Sequence, residues 1–265
     1  VTVAMMTSAK LLSAIEPVIR YQRTRYRGGD AAKPGTPRYD LGIQQKEDAQ
    51  HRLIDVWATG EASASLGFEA ARIFDEFDSL EKQKDAMFLQ EGIKGPRAQM
   101  KVFAEPRKKA LAYVAETGKP EARRDPKVLE AYNNDFLVQY VVKESLADVF
   151  CPACKLWNTG YGATMMREAV SLMGGYGITE DCPGFLTQKW SDAQLEATYE
   201  GPECVQRRQM SLTMTNDVFL AQFRNWIKDL RQLDATKPGM GAGTLAGAME
   251  LWLWSVEYLR NAKDA

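Results

Sequence analysis

The sequence predicts an all-α fold, an antiparallel helical bundle with extra helices at its C-terminal end. Two observations carry this expectation. Apolar residues recur at three- and four-residue spacings over long segments, and the strand-like alternation of apolar and polar residues is nearly absent. The chain has 265 residues, 45% of them hydrophobic, enough for a substantial core. No internal repeat or low-complexity tract interrupts it.

The elements follow in order. Residues 3–26 place Met5, Leu12, Ile15 and Ile19 on one side of a first helix, which Gly28-Gly29 ends. Gly28 to Tyr39, with its prolines and glycines, reads as a loop able to reach a partner. From Gly42 to Glu76 the series Leu53, Val56, Gly60, Ala64, Gly67, Ala71, Phe74 predicts a second helix. Its small residues admit a close neighbour, and the helix is expected to be packed on both sides. Residues 77–125 are more polar and broken by Gly92, Gly95, Pro96, Pro106, Gly118 and Pro120, so one or two shorter helices with loops are expected there. Leu129, Tyr132, Phe136, Tyr140, Val141 and Leu146 mark a helix over 126–150. A further helix runs from about 154 to the glycine turn at 174, another over 203–233. The last carries Leu245, Met249, Trp252, Val256 and Leu259.

Charge excludes some classes of function. Lysine and arginine number 34 against 35 acidic residues, so nothing draws the whole molecule to nucleic acid or to an anionic membrane. The closest approach to a bilayer-spanning run is the interrupted segment Leu245 to Leu259, and no membrane span is expected. The four cysteines make no disulfide framework and no secretory leader is read, which points to a soluble, cytoplasmic protein. Cys151-Pro152-Ala153-Cys154 has the spacing of a redox pair or half a zinc site, but no second close pair accompanies it and the residues before it read as helix, so no metal site is expected. His51, the sole histidine, reads as a packed or helix-surface residue.

The candidate chemistry lies between Met173 and Arg207. Gly174-Gly175-Tyr176-Gly177 lets backbone N–H groups approach an anion without Cβ obstruction, although the same turn also serves as a helix C-cap. Some twenty residues on, Tyr199-Glu200-Gly201 sets a carboxylate beside a glycine. By itself Glu200 reads as a solvated glutamate ahead of a helix, and Arg23, Arg25 and Arg27 read also as cations complementing the end of helix one.

Taken together and in order, Tyr21 through Gly28, Ala49 through Asp55, the Gly-Gly-x-Gly turn, Ser191-Asp192 and Tyr199-Glu200-Gly201-Pro202 resemble the C-terminal region of the acyl-CoA dehydrogenase family, in particular its longer bacterial members. The resemblance covers residues 1–230 as the family's C-terminal helical domain and leaves 231–265 as a helical extension. It implies FAD as cofactor, an acyl-CoA thioester as substrate, Glu200 as the base that takes the α-proton, and Tyr199 and Gly201 as shapers of the substrate pocket. It also implies that Arg25, with the backbone at Gly174 and Gly175, meets the pyrophosphate of a flavin bound by a neighbouring subunit.

Several positions depart from the family pattern: Ser171 stands where a glutamine is usual, Ser191 where an arginine is usual, Pro202 where a threonine is usual and Gly28-Gly29 where phenylalanine-glycine is usual, and Glu203 and Cys204 also differ from the common choices. The family places a helical domain and a β-barrel domain ahead of the first helix. The resemblance therefore implies that the chain is a fragment or that a separate polypeptide supplies those domains, the latter being the expectation, together with a homo- or hetero-oligomer and an electron-transfer flavoprotein as acceptor. The competing reading is a noncatalytic helical subunit that keeps the scaffold for assembly. An oxidase handing electrons to oxygen would differ in flavin access rather than in any residue of this sequence.

Overall fold

The computed structural model describes residues 1–25 and 42–262. The expected loop from Gly28 to Tyr39, with Gly28-Gly29 and Arg27, lies outside them. Among the described residues the fold is all-α. Its helices are α1 (Thr2–Thr24), α2 (Glu47–Gln90), α3 (Pro96–Thr117), α4 (Pro126–Asn133), α5 (Phe136–Leu156), α6 (Gly162–Leu172), α7 (Leu186–Glu196), α8 (Glu203–Thr213), α9 (Asp217–Thr236) and α10 (Ala242–Asn261). The chain divides into two compact units, Val1–Arg72 with Phe150–Met210, and Ile73–Val149 with Ser211–Ala265.

In the first unit α1 is the central element. Leu11, Ala14, Ile15 and Val18 are buried with Val56 of α2, Met166 and Ala169 of α6, and Leu186 and Ala193 of α7. The expected face of Met5, Leu12, Ile15 and Ile19 is only part of this surface. Met5, Leu12 and Ile19 are half-buried, because α1 is packed from more than one side and its deepest positions are the small and branched ones between. Two of its neighbours, α2 and α7, run antiparallel to α1. Gly60 faces Leu12 and Gly67 faces Met5, so partners descend along α1 as they ascend along α2. The same reversal relates α1 to α7 through Thr7 with Glu196, Ser13 with Lys189, and Pro17 with Gly184.

The glycines of α2 act as the sequence suggests. A Cβ on Gly67 would lie 1.8 Å from Met5 Sδ, so glycine here lets α1 and α2 approach without displacing the Met5 side chain. Packing on both sides of α2 is not observed: Ile54, Trp57, Phe68 and Phe74 are exposed. The apolar series belongs to one buried stripe plus side chains on the opposite face. Pro17 inside α1 removes the N–H that would bond the Ser13 carbonyl, and Lys189 Nζ donates to that oxygen at 3.4 Å. Helix α1, rather than Leu245–Leu259, is the described helix long and apolar enough to cross a membrane, with mean hydropathy 1.2, and half of that window is buried in the protein. Its polar residues Lys10, Glu16 and Arg20 hid this from a search for unbroken apolar runs.

Several boundaries differ from expectation. α2 starts at Glu47, after a 3₁₀ turn over Gly42–Gln45, and continues to Gln90, because no breaker precedes Gly92. Pro106 sits inside α3 without ending it. The helix foreseen over 126–150 is two, parted near Asn134 where Asp135 accepts from the Leu137 and Val138 N–H groups and starts α5. Cys151 and Pro152 lie within α5, and α5 joins α6 through a π-helical turn, Trp157–Tyr161. The span 203–233 is also two helices, separated by Asn216, which caps α9 by accepting from Val218 N–H at 2.9 Å.

The second unit is held by aromatic seams. Tyr113 of α3 stacks on Tyr132 of α4 with centroids 3.7 Å apart, and Phe223 of α9 meets Trp252 of α10 at 4.7 Å. Arg224 pairs with Glu257 and Arg231 with Glu250, an order that makes α9 and α10 antiparallel. Glu144 accepts from Tyr140 Oη at 2.6 Å. Burial raises its pKa above the ordinary 4.5, against the lowering effect of that hydrogen bond.

Two outcomes test this packing. Leu11→Ala lowers stability by about 2–5 kcal/mol, read by urea unfolding, since the cavity opens at a fully buried position in the core of the first unit. The folded state favours the neutral Glu144 carboxyl, so its contribution is full below the ordinary glutamate value and is lost as pH rises through the raised native one. Glu144→Gln therefore gains stability over the wild type at about pH 8 and not at about pH 4; an unchanged pH profile contradicts this linkage.

Candidate functional site

The sequence-nominated residues fall in two places within the first unit. Arg25, Gly174 and Gly175 come together. They line a cleft of about 580 Å³ with Tyr21, Gln22, Lys46 and Arg52. The cleft forms because α1 ends there: Arg25 N–H donates to the Tyr21 carbonyl and the Arg25 carbonyl accepts from Ile43 N–H, both at 2.9 Å. The Tyr21 ring lies 5.9 Å from Tyr176, which ties the end of α1 to the glycine turn.

That turn is a 3₁₀ helix, Gly174–Ile178, and its glycines have different reasons to be glycine. Gly174 has φ +62°, a left-handed conformation. A Cβ on Gly177 would lie 2.3 Å from the Val170 carbonyl oxygen, so the fold requires glycine there. Gly175 has neither constraint: its φ is ordinary and a Cβ would meet nothing within 4 Å. Its absent side chain leaves the backbone open toward the cleft.

Cations dominate the lining, with Arg25, Lys46 and Arg52 against Asp48. Arg52 is fixed by an ion pair with Glu168 and donates from Nη2 to Ser171 Oγ at 2.9 Å. The serine found in place of the family's glutamine is thus tied to an arginine of α2. Gln22 is fully buried, and neither its Oε1 nor its Nε2 has a hydrogen-bond partner. An unpartnered buried amide is costly, and a polar ligand group in the cleft that Gln22 lines would relieve it.

Tyr199, Glu200 and Gly201 do not line that cleft. They form the turn between α7 and α8. Glu200 is exposed with φ +51°, an uncommon left-handed conformation for a residue with a side chain, and Gly201 follows at φ +89°. Beyond it the Pro202 carbonyl accepts from Val205 and Gln206 N–H groups and opens α8. Ser191 and Asp192 are exposed on α7.

Beneath this turn lies a buried polar cluster that the sequence reading missed. Lys155 is 6% exposed, donates from Nζ to the Tyr199 carbonyl at 2.5 Å, and sits 5.3 Å from the centre of the Tyr199 ring. Burial pushes its pKa below the ordinary lysine value, while Glu200 and Glu196 act in the opposite direction. Glu196, 2% exposed at the end of α7, accepts from Thr7 Oγ1 and pairs with Lys10 of α1. The available signal was Glu196 three residues beyond the buried Ala193, on the inner face of its helix. Lys155 had none beyond the Cys151–Cys154 motif it follows.

The other nominated features are structural. Cys154 is buried in an apolar cluster with Ala4 and Ala70, and burial pushes its thiol to about 11. His51 is exposed on α2, with Nε2 4.0 Å from Glu47. Asn158, in the π-helical turn, donates to the Ala4 carbonyl, Ser8 Oγ and the Ser63 carbonyl, joining α1, α2 and the turn.

Residues 128–214 match the family model for the acyl-CoA dehydrogenase C-terminal domain. The matched family is that of the acyl-CoA dehydrogenases. No curated protein and no solved structure shows a match to the chain. The matched span contains Lys155, the glycine turn, Glu196 and the Tyr199-Glu200-Gly201 turn, while Arg25 lies outside it. Members of this family act in acyl-CoA dehydrogenation and typically bind FAD.

The two glycine substitutions should separate fold from ligand approach. Gly177→Ala costs about 1–3 kcal/mol by overpacking against the α6 carbonyl. Gly175→Ala leaves stability within about 0.5 kcal/mol and weakens binding of inorganic pyrophosphate, measured by calorimetry. Equal pyrophosphate binding by wild type and Gly175→Ala would show that this glycine does not serve the cleft.

Proposed function

We propose that the chain is the C-terminal, FAD- and acyl-CoA-binding part of an acyl-CoA dehydrogenase, with residues 1–230 forming the family domain and 231–265 a helical extension. The observation that carries the reading is Glu200, exposed on a left-handed turn inside the matched span. A carboxylate there is reachable by a substrate and is presented by a turn its own side chain does not favour.

Glu200 takes the proton from the thioester α-carbon, the C–H electron pair remaining with the substrate as the α,β-double bond forms. The Glu200 backbone N–H holds the thioester carbonyl oxygen, where negative charge develops as the proton leaves. Tyr199 and Gly201 shape the pocket on either side. FAD, when bound, would supply the acceptor for the β-hydrogen and its electron pair, leaving a trans-2-enoyl-CoA, with an electron-transfer flavoprotein as the proposed onward acceptor.

The cleft fits the phosphate part of FAD. Arg25 offers a planar fork of donors, Lys46 adds charge, Gly174 and Gly175 expose backbone, and Gln22 carries an unpartnered buried amide. Separation of this cleft from Glu200 is what the resemblance implies, since Arg25 serves the flavin of a neighbouring subunit while Glu200 serves its own. Enclosure for a flavin ring we assign to the helical and β-barrel domains usual in the family, within an oligomer. The cysteine usage leads us to place this assembly in the cytoplasm.

Ser171, Ser191 and Pro202 favour the alternative of a noncatalytic assembly subunit, because each removes a donor or charge usual in the family. One variant separates the readings. In the assembled enzyme, Glu200→Gln retains the flavin absorbance spectrum and loses bleaching by acyl-CoA by at least about 10²-fold. Undiminished bleaching removes Glu200 as the base, and a wild-type assembly that no acyl-CoA bleaches supports the assembly subunit.

A further inference from the structure

We propose that Lys155 is a positioning residue that ties down and polarises the peptide between Tyr199 and Glu200, aiming the Glu200 N–H at the substrate's carbonyl oxygen. The inference rests on the catalytic reading of Glu200.

The argument starts from a single peptide plane. No peptide bond among the described residues is cis, so the Tyr199 carbonyl and the Glu200 N–H point in opposite directions. Lys155 Nζ holds the carbonyl at 2.5 Å from the buried side. The N–H is therefore directed away from Lys155. A cation on the carbonyl also withdraws electron density through the peptide and makes the N–H a better donor to a developing negative charge.

Three further observations agree. The left-handed φ of Glu200 needs outside support, and the bond to the preceding carbonyl is positioned to give it. The Tyr199 ring lies over the same ammonium, so both polar and aromatic parts of Tyr199 are fixed by one side chain. Burying a lysine on a neutral carbonyl is costly for folding alone, and the carboxylates that keep it charged are Glu196, itself anchored by Thr7 and Lys10, and Glu200.

The test uses the assembled, flavin-loaded enzyme with an acyl-CoA, and compares Lys155→Met, Lys155→Arg and Glu200→Gln. Lys155→Met lowers kcat by about 10²-fold with KM little changed, as loss of an aimed transition-state donor does. Lys155→Arg, which keeps the charge and a donor, recovers about tenfold of that loss. Independently of turnover, the Lys155 Cε resonance titrates at lower pH in Glu200→Gln than in the wild type, because the Glu200 charge that raises the Lys155 pKa is gone. This arm needs no substitution at Lys155 and remains decisive if Lys155→Met fails to fold.

Wild-type turnover in Lys155→Met, a loss confined to KM, or an unmoved Lys155 titration in Glu200→Gln each overturn the proposal. Glu200→Gln distinguishes the two failures. Retained turnover in that variant defeats the catalytic reading itself, whereas abolished turnover there with an active Lys155→Met defeats only the role of Lys155.

Discussion

Close approach along α1 is the constraint on which the first unit depends. α1 runs antiparallel to α2 and α7 and presents Leu11, Ala14 and Val18 to a shared core with α6. Such contact is possible only where neighbours are small, at Gly60, Gly67 and Gly162, where an added Cβ would strike Leu12, Met5 and Thr7. A methyl at any of these crossings would force the facing side chain to move. Both candidate sites inherit their geometry from this helix: its C-terminal end forms one wall of the cation-lined cleft, and Thr7 and Lys10 hold the carboxylate beneath the Glu200 turn.

Polar groups buried at these crossings form separate small clusters, each tying one helix or turn to another. Asn158 bonds to three elements, Glu196 to two side chains of α1, and Lys155 to the turn after α7. Removing one partner of such a pair leaves a charge or amide without water or mate, a penalty larger than the net value of the bond. The arrangement therefore specifies register more than it adds stability. It places the Tyr199–Glu200 peptide relative to α1 with little freedom.

Much of the first unit was legible from residue spacing. The helical period at Leu53, Val56 and Gly60 correctly indicated a helix with a close neighbour, and Arg25, Gly174 and Gly175 do share a cleft. Effects that spacing does not encode stayed hidden. Pro106 and Pro152 look like breakers but lie inside α3 and α5, where packing outweighs a lost backbone bond. Asn216 and Asp135 act as helix starts because their side chains accept from N–H groups two residues further on, and Asn216 was lost inside an otherwise periodic run. Lys155 and Glu196 carry residue types that are usually solvated, and only the fold reveals that both face inward.

The π-helical turn at Trp157–Tyr161 carries one residue more than an α-helical path of the same rise. Each residue of an α-helix turns the side chains by about 100°, so this single insertion sets the rotational phase between Lys155 on one side and Gly162 and Met166 on the other. An uninterrupted helix could point the lysine at the Glu200 turn or seat Gly162 against Thr7, but the two aims fall on different azimuths. The bulge acts as a phase adjuster, letting one continuous rod serve a polar turn and a packing seam that demand different rotations.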